Sequence, residues 1–188
     1  MEQDSKLTVE KKNKVKRVVR YSVAVVAVAL LIFVCVEVYS FYRLSSDRLF
    51  AEGYTAYLTT TTRAENDSTG SKIEQAYRQE NYEAVKKLNA NSVLSVNDIF
   101  LTGMSYLETN DPARAISNFQ VVIADVRDEK KSELKDAAEY YLSLAYLKNN
   151  DYDQAIELMN MIHDNSSHHY KEKFSRKYIN KVKRLKWR

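Results

Sequence analysis

The sequence predicts an all-α chain: one N-terminal membrane-spanning helix, then a stack of about three helical hairpins, then a capping helix. Three observations carry that reading. Residues 98–162 repeat a pattern of small and large apolar positions at helical spacing, and residues 21–36 run without a charge. Three glycines and one proline are too few for a many-turned sheet protein, and period-two alternation is absent outside the apolar run.

The repeat is the strongest of these. Gly103, Tyr106, Ala115, Phe119 and Val122 stand at intervals of three, nine, four and three, and Ser143, Tyr146, Ala155, Met159 and Ile162 repeat those intervals 40 residues later. Between tyrosine and alanine each copy has a polar break, Thr109-Asn110-Asp111-Pro112 or Asn149-Asn150-Asp151, which is turn chemistry joining two short helices. Ala115 and Ala155 let the second helix approach the first, Tyr106 and Tyr146 fill the space across from them, and Phe119 and Met159 face the next hairpin. A single hairpin cannot bury both faces, so hairpins of this kind must stack.

This order of small residue, aromatic, alanine, large apolar and apolar residue resembles the tetratricopeptide repeat. Pro112 stands in the turn, and the proline that usually ends the family's second helix is missing from both copies. The family's period is about 34 residues, so the surplus is expected as about two extra turns in the second helix of the first copy, through Val121-Val122-Ile123 and the charged stretch from Arg127 to Lys135.

In chain order, residues 1–20 form a basic leader that is expected in the cytoplasm. Residues 21–42 are expected to span a membrane. Ten of the sixteen residues from 21 to 36 are Val, Leu, Ile or Phe; at roughly −0.3 to −0.6 kcal/mol each they favour insertion by about 3 to 6 kcal/mol, more than the off-centre Glu37 costs. As a helix the span is about 33 Å long, enough for a hydrocarbon core of about 30 Å. Tyr21 at one end and Tyr39, Phe41 and Tyr42 at the other suit the two interfaces. Glu37, an ionisable group in such a segment, is a functional candidate, but its place near the outer end favours interface exposure. No small-residue cleavage site follows the run, and Val34 precedes Cys35 where a lipoprotein signal needs a small residue, so the anchor is expected to stay uncleaved. Cys35 is the single cysteine, which excludes an intramolecular disulfide and a cysteine-based zinc site.

Orientation follows from charge. Seven Lys/Arg lie between Lys6 and Arg20, against Arg43, Arg48 and Arg63 beyond the helix, so the N-terminus is expected inside and the repeats outside, in the periplasm of a bacterium. Residues 43–72 hold a short juxtamembrane helix, capped by Ser45 or Ser46 and carrying Leu49, Phe50, Tyr54, Tyr57 and Leu58 toward the membrane surface or the repeats, and then a polar linker over 59–72. As a random coil that linker spans on the order of 20 Å. Repeats are expected over 73–167. Within them Ile73, Ala76, Tyr77, a turn at Glu80-Asn81, then Tyr82, Ala84, Val85 and Leu88 resemble a degenerate first copy ended by Asn89 and Asn91. Asn165-Ser166-Ser167 breaks the chain before a capping helix over 168–188, whose stripe is Tyr170, Phe174, Tyr178, Val182 and Leu185 among nine cations. Its basic face has three readings: a solvated cap, the favoured one, contact with anionic lipid, or nucleic-acid binding.

Little here carries chemistry. His163, His168 and His169 lack the spacing and the carboxylate pair of a helix-borne metal site, so no metal is expected. Only Gly53, Gly70 and Gly103 are available, and they form no phosphate loop; Gly103 is expected as a contact point between helices. Asp125, Asp128, Glu129 and Glu133 are interleaved with Arg127, Lys130, Lys131 and Lys135, the pattern of a solvated helix face. No cofactor, small-molecule substrate or catalytic group is expected, and no recognisable nucleic-acid module is present.

The resemblance implies a partner-binding groove lined by the first helices of the hairpins: Asn97, Phe100, Met104 and Glu108 from one, Tyr140, Leu144 and Lys148 from the next. Charged residues at Met104 and Leu144 are then expected to abolish capture without unfolding. The whole arrangement resembles membrane-anchored bacterial tetratricopeptide proteins, some of which are scaffolds or ancillary chaperones of the cell envelope. The expectation is a non-enzymatic adaptor for a peptide or protein, with an envelope sensor signalling to a cytoplasmic regulator through the leader as the alternative.

Overall fold

A computed structural model of the chain describes residues 20–23, 25–39, 43–57, 71–89, 94–125 and 132–187. The basic leader, most of the polar linker and the charged run at 126–131 lie outside the described residues. Contacts divide the chain into two units, residues 1–44 and 45–188. Helices are numbered here in chain order.

The first unit holds α1, Arg20–Tyr39, which is 20 residues long and so about 30 Å. By length and composition it could cross a membrane, the one such helix among the described residues. Its apolar side chains are exposed, Val25 at 68% and Phe33 at 62%, so nothing in its own unit covers them.

All of the regular secondary structure among the second unit's described residues is helical. This unit holds α2 (Ser46–Gly53), α3 (Lys72–Arg78), α4 (Tyr82–Asn89), α5 (Val96–Glu108), α6 (Pro112–Asp125), α7 (Ser132–Lys148), α8 (Tyr152–Asp164) and α9 (Arg176–Lys186). Each of α4 to α9 packs on the helix before it, α5 also touches α3 and α7, and α2 packs on α7 and α9. That is the arrangement of stacked hairpins α3–α4, α5–α6 and α7–α8, with α9 against α8.

Local chemistry sets the helix ends. Serines 45, 71, 95 and 175 cap α2, α3, α5 and α9, each side chain accepting the backbone N–H three residues on and satisfying one orphan donor of the first turn. Ser95 and Asp98 form a full capping box. The Asp98 carboxylate also accepts the Ser71 hydroxyl, so it ties the start of the second hairpin to the start of the first.

The three hairpin turns share one geometry. Glu80, Asn110 and Asn150 have φ of 55°, 60° and 64°. Each is followed by a residue whose N–H reaches back five positions, Asn81 to Ala76, Asp111 to Tyr106 and Asp151 to Tyr146, at 2.8–2.9 Å. This is the left-handed turn that asparagine tolerates and other side chains resist. The shared turn sets the first hairpin in register with the others, with Ile73 at the place of Gly103, Ala76 at that of Tyr106, Val85 at that of Ala115 and Asn89 at that of Phe119.

Packing between the hairpins follows the expected pattern. Ala115, Phe119, Val122, Ala155, Met159 and Ile162 are fully buried. A Cβ on Gly103 would stand 2.9 Å from Phe119 Cε1, so the close approach of α5 and α6 requires glycine there. Phe119 also faces the next hairpin, its ring 6.3 Å from that of Tyr141.

Two boundaries differ from expectation. The second helix of the first full copy is not lengthened through Lys135: α6 ends at Asp125, and Lys135 belongs to α7. With 14 residues in α6 and 13 in α8, the second helices are alike, and the added length shows instead in α7, whose 17 residues exceed the 13 of α5. At the C-terminus, α9 starts at Arg176 under the Ser175 cap, so Tyr170 and Phe174 flank a 3₁₀ turn at Lys171–Lys173 rather than sharing one helical stripe with Tyr178. The reason is local: Ser175 outcompetes the earlier serines because it can place Tyr178, Ile179, Val182 and Leu185 inward together.

Candidate functional site

The first helices of the hairpins present one common face. Aligned on the turns, Met104, Leu107 and Glu108 of α5 correspond to Leu144, Leu147 and Lys148 of α7 and to Glu74, Tyr77 and Arg78 of α3. On α5 and α7 this face is already covered, and the cover is the chain's own residues 45–57.

The covering segment is held through its backbone as well as its side chains. Leu49 on α2 is fully buried. The Tyr178 hydroxyl donates to Leu49 O at 2.7 Å and the Tyr141 hydroxyl to Thr55 O at 2.7 Å. The Tyr140 hydroxyl donates to Gly53 O. Gly53 lies so close to Tyr178 and Leu144 that a Cβ there would sit 2.5 Å from the tyrosine oxygen and 3.2 Å from Leu144 Cδ2. Burial pushes the phenols of Tyr140, Tyr141 and Tyr178 above their ordinary range, which keeps them protonated as donors.

Beyond α2 the segment continues across α5. Tyr57 meets Phe100 edge-on with ring centroids 4.7 Å apart, and the Tyr54 hydroxyl donates to the Glu108 carboxylate. Burial, and then the Glu108 carboxylate, raise the Tyr54 phenol. Lys148 stands over the Phe50 ring at 4.3 Å, a cation–π contact. Of the two places expected for this juxtamembrane helix, it therefore takes the repeats.

Each groove residue expected from the sequence can now be placed. Phe100, Met104, Tyr140 and Leu144 are fully buried, Asn97 and Lys148 are half-buried, and Glu108 is exposed. A charge at Met104 or Leu144 would be buried without a partner, which costs fold stability. The expectation that such substitutions leave the domain folded is corrected by that burial.

Among the described residues, one part of the common face is left open. A cleft of about 220 Å³ is lined by Ala56, Tyr57, Tyr77, Arg78, Glu80, Tyr82 and Glu108, between Ala56–Tyr57 and the first hairpin. It offers aromatic edges beside Glu80 and Glu108, while Arg78 is held by Glu74 at 2.6 Å. Its first-hairpin residues were not among the expected groove positions, although the 30-residue offset from Asn110 to Glu80 would have found Tyr77 and Arg78.

The histidines acquire the carboxylate pair they lack in sequence, from α7. His168 is buried; its Nδ1 accepts the Tyr170 N–H at 3.1 Å. That leaves the ring hydrogen on Nε2, which points between Glu139 Oε2 at 3.3 Å and Asp136 Oδ1 at 3.7 Å and meets neither at good hydrogen-bond geometry. Asp136 is further bound by the His169 N–H at 2.9 Å. With one nitrogen accepting and the other protonated, the ring has no lone pair to give a metal ion, so the cluster fastens the C-terminal segment to α7.

Stacked helix hairpins whose first helices present one common face define a helical repeat module. Residues 99–128 and 137–167, which hold α5–α6 and α7–α8, match the family model of the tetratricopeptide repeat. Such repeats generally mediate protein–protein interaction and are typically non-enzymatic. No curated protein and no solved structure matches the chain.

Proposed function

We propose that the chain is a single-pass, membrane-anchored scaffold or adaptor of a bacterial envelope. In this reading α1 holds it in the inner membrane, the leader stays in the cytoplasm, and the hairpin stack captures a peptide or protein in the periplasm. The observation that carries the interaction role is the pair of tetratricopeptide repeats whose common face is filled over α5 and α7 but open at the Tyr57–Tyr82 cleft. Support for the anchor and its direction comes from the apolar length of α1 and the seven cations before it.

The cleft's chemistry describes the partner. Tyr57, Tyr77 and Tyr82 offer apolar area with hydroxyl tips, and Glu80 and Glu108 offer negative charge, so a peptide carrying an apolar side chain next to a lysine or arginine fits. Photo-crosslinking in cells tests this, with the reactive side chain placed at Ala56, which lines the cleft, or at the exposed Gln154, which does not. Envelope-protein adducts from Ala56 and none from Gln154 are expected. Equal adducts, or adducts to cytoplasmic proteins, would refute the reading.

A further inference from the structure

The C-terminal end of α9 is built from a mixture unlike the rest of the surface. Trp187, the chain's one tryptophan, is 83% exposed at the cap of α9. Lys183, Arg184 and Lys186 fill the last helical turn. A bare indole beside a cluster of cations is costly to leave in water and suits a boundary where one side is apolar and the other wet.

Position singles out what covers it. Leu185 and Lys186 line the same small cavity as Ser45 and Ser46, the first residues of the second unit. Ser46 is fixed there by Asn150 at 2.6 Å and by the Tyr152 hydroxyl at 3.0 Å. Lys186 is held by Asp153 at 2.5 Å, and one helical turn or so earlier Lys181 is held by Glu52 of α2 at 2.6 Å. So the end of α9 is locked beside the start of α2. From Ser45 back to Tyr39, the last residue of α1, there are six residue steps in the sequence, which can span at most about 20 Å. If α1 lies in a bilayer, Ser45 can be no farther than that from the end of the span, and the tip of α9 travels with it.

We propose that the Trp187 end of α9 rests on the lipid surface, the indole at the headgroup level and the basic last turn around Lys183 toward anionic headgroups. The contact makes a second attachment of the repeat body and fixes which side of it faces the bilayer.

This inference rests on the anchor reading, and the experiment separates the two. The full-length protein is reconstituted into phosphatidylcholine–phosphatidylglycerol vesicles, washed at alkaline pH, and Trp187 emission is recorded with lipids brominated near the headgroup. Retention through the wash with blue-shifted, strongly quenched emission is expected, and loss of quenching in Lys183→Glu with retention unchanged would place the cations in the contact. Retention with water-like, unquenched emission would overturn the lipid contact and leave the anchor standing. Release of the protein by the wash would remove the anchor and this inference together. A change in Trp187 emission on adding a short nucleic-acid duplex to the detergent-solubilised protein, with none in vesicles, would assign the patch to nucleic acid instead.

Discussion

The first and second hairpins of the stack make the same turn and differ in everything around it. Glu80 and Asn110 share the left-handed conformation and the same backward hydrogen bond. Yet α3 and α4 have 7 and 8 residues where α5 and α6 have 13 and 14. The second hairpin sets Gly103 against a fully buried Phe119; the first sets Ile73 near a half-buried Asn89. The turn alone therefore specifies that two helices reverse, while the glycine–aromatic pairing specifies how closely they pack. The second and third hairpins match the family model, and both set a small residue, Gly103 or Ser143, in register with a fully buried large one, Phe119 or Met159.

The largest test of this contrast is the large-residue position. Phe119→Ala should lower stability by about 3–5 kcal/mol, the usual cost of emptying a buried aromatic site. Asn89→Ala, at the equivalent place, should stay within about 0.5 kcal/mol. Urea unfolding of the detergent-solubilised full chain, followed by helical circular dichroism, measures both, and equal losses would erase the distinction. Next in size is Gly103→Val, expected to cost about 1–3 kcal/mol through overpacking against Phe119. Adding Phe119→Leu should relieve part of that loss; strict additivity would mean the two positions do not press on each other.

A smaller effect tests the shared turn. A left-handed residue costs an ordinary side chain about 1–2 kcal/mol, less for asparagine. Glu80→Asn should therefore raise stability by up to about 1 kcal/mol, whereas Asn110→Ala should lose about that much. If neither substitution shifts the unfolding midpoint, the turn does not define the hairpin.

The smallest expected difference is in alkali. Burial raises the phenols of Tyr77 and Tyr82 in the first hairpin and of Tyr140, Tyr141 and Tyr178 around the covered face, and pushes Tyr170 up to about 12. A raised folded value means that the unfolded chain ionises first, so the stability these groups contribute is complete below about pH 10 and is lost as pH climbs toward the folded values. Unfolding midpoints should fall from about pH 10 upward. Tyr141→Phe should flatten that fall more than Tyr82→Phe, since Tyr141 is buried and Tyr82 only half-buried.

What the sequence disclosed was local. The five-position register of each repeat, the polar turns, the apolar length of α1 and the Ser45 cap are all read within one or two helical turns, and the structure places them as expected. Contacts across the chain were hidden. Nothing in Leu49, Gly53 or Thr55 shows that their carbonyls meet Tyr178, Tyr140 and Tyr141, about ninety to one hundred and thirty residues away. For the same reason four groove residues read as available surface turned out to be buried. His168 gained its acidic neighbours from α7, some thirty residues earlier. Boundaries at Asp125 and Ser175 were missed because charged and serine-rich stretches offer several equivalent stops, and only packing chooses among them.

The most direct measurement concerns the covered face. With Cys35 replaced by serine, single cysteines at Leu144 and Glu108 are exposed to a water-soluble maleimide in the native full-length protein. Leu144→Cys should label only as fast as the domain opens, and Glu108→Cys at once, because residues 45–57 bury the first position and leave the second at the open cleft. Rapid labelling of both at the same rate would contradict a groove filled by the chain itself.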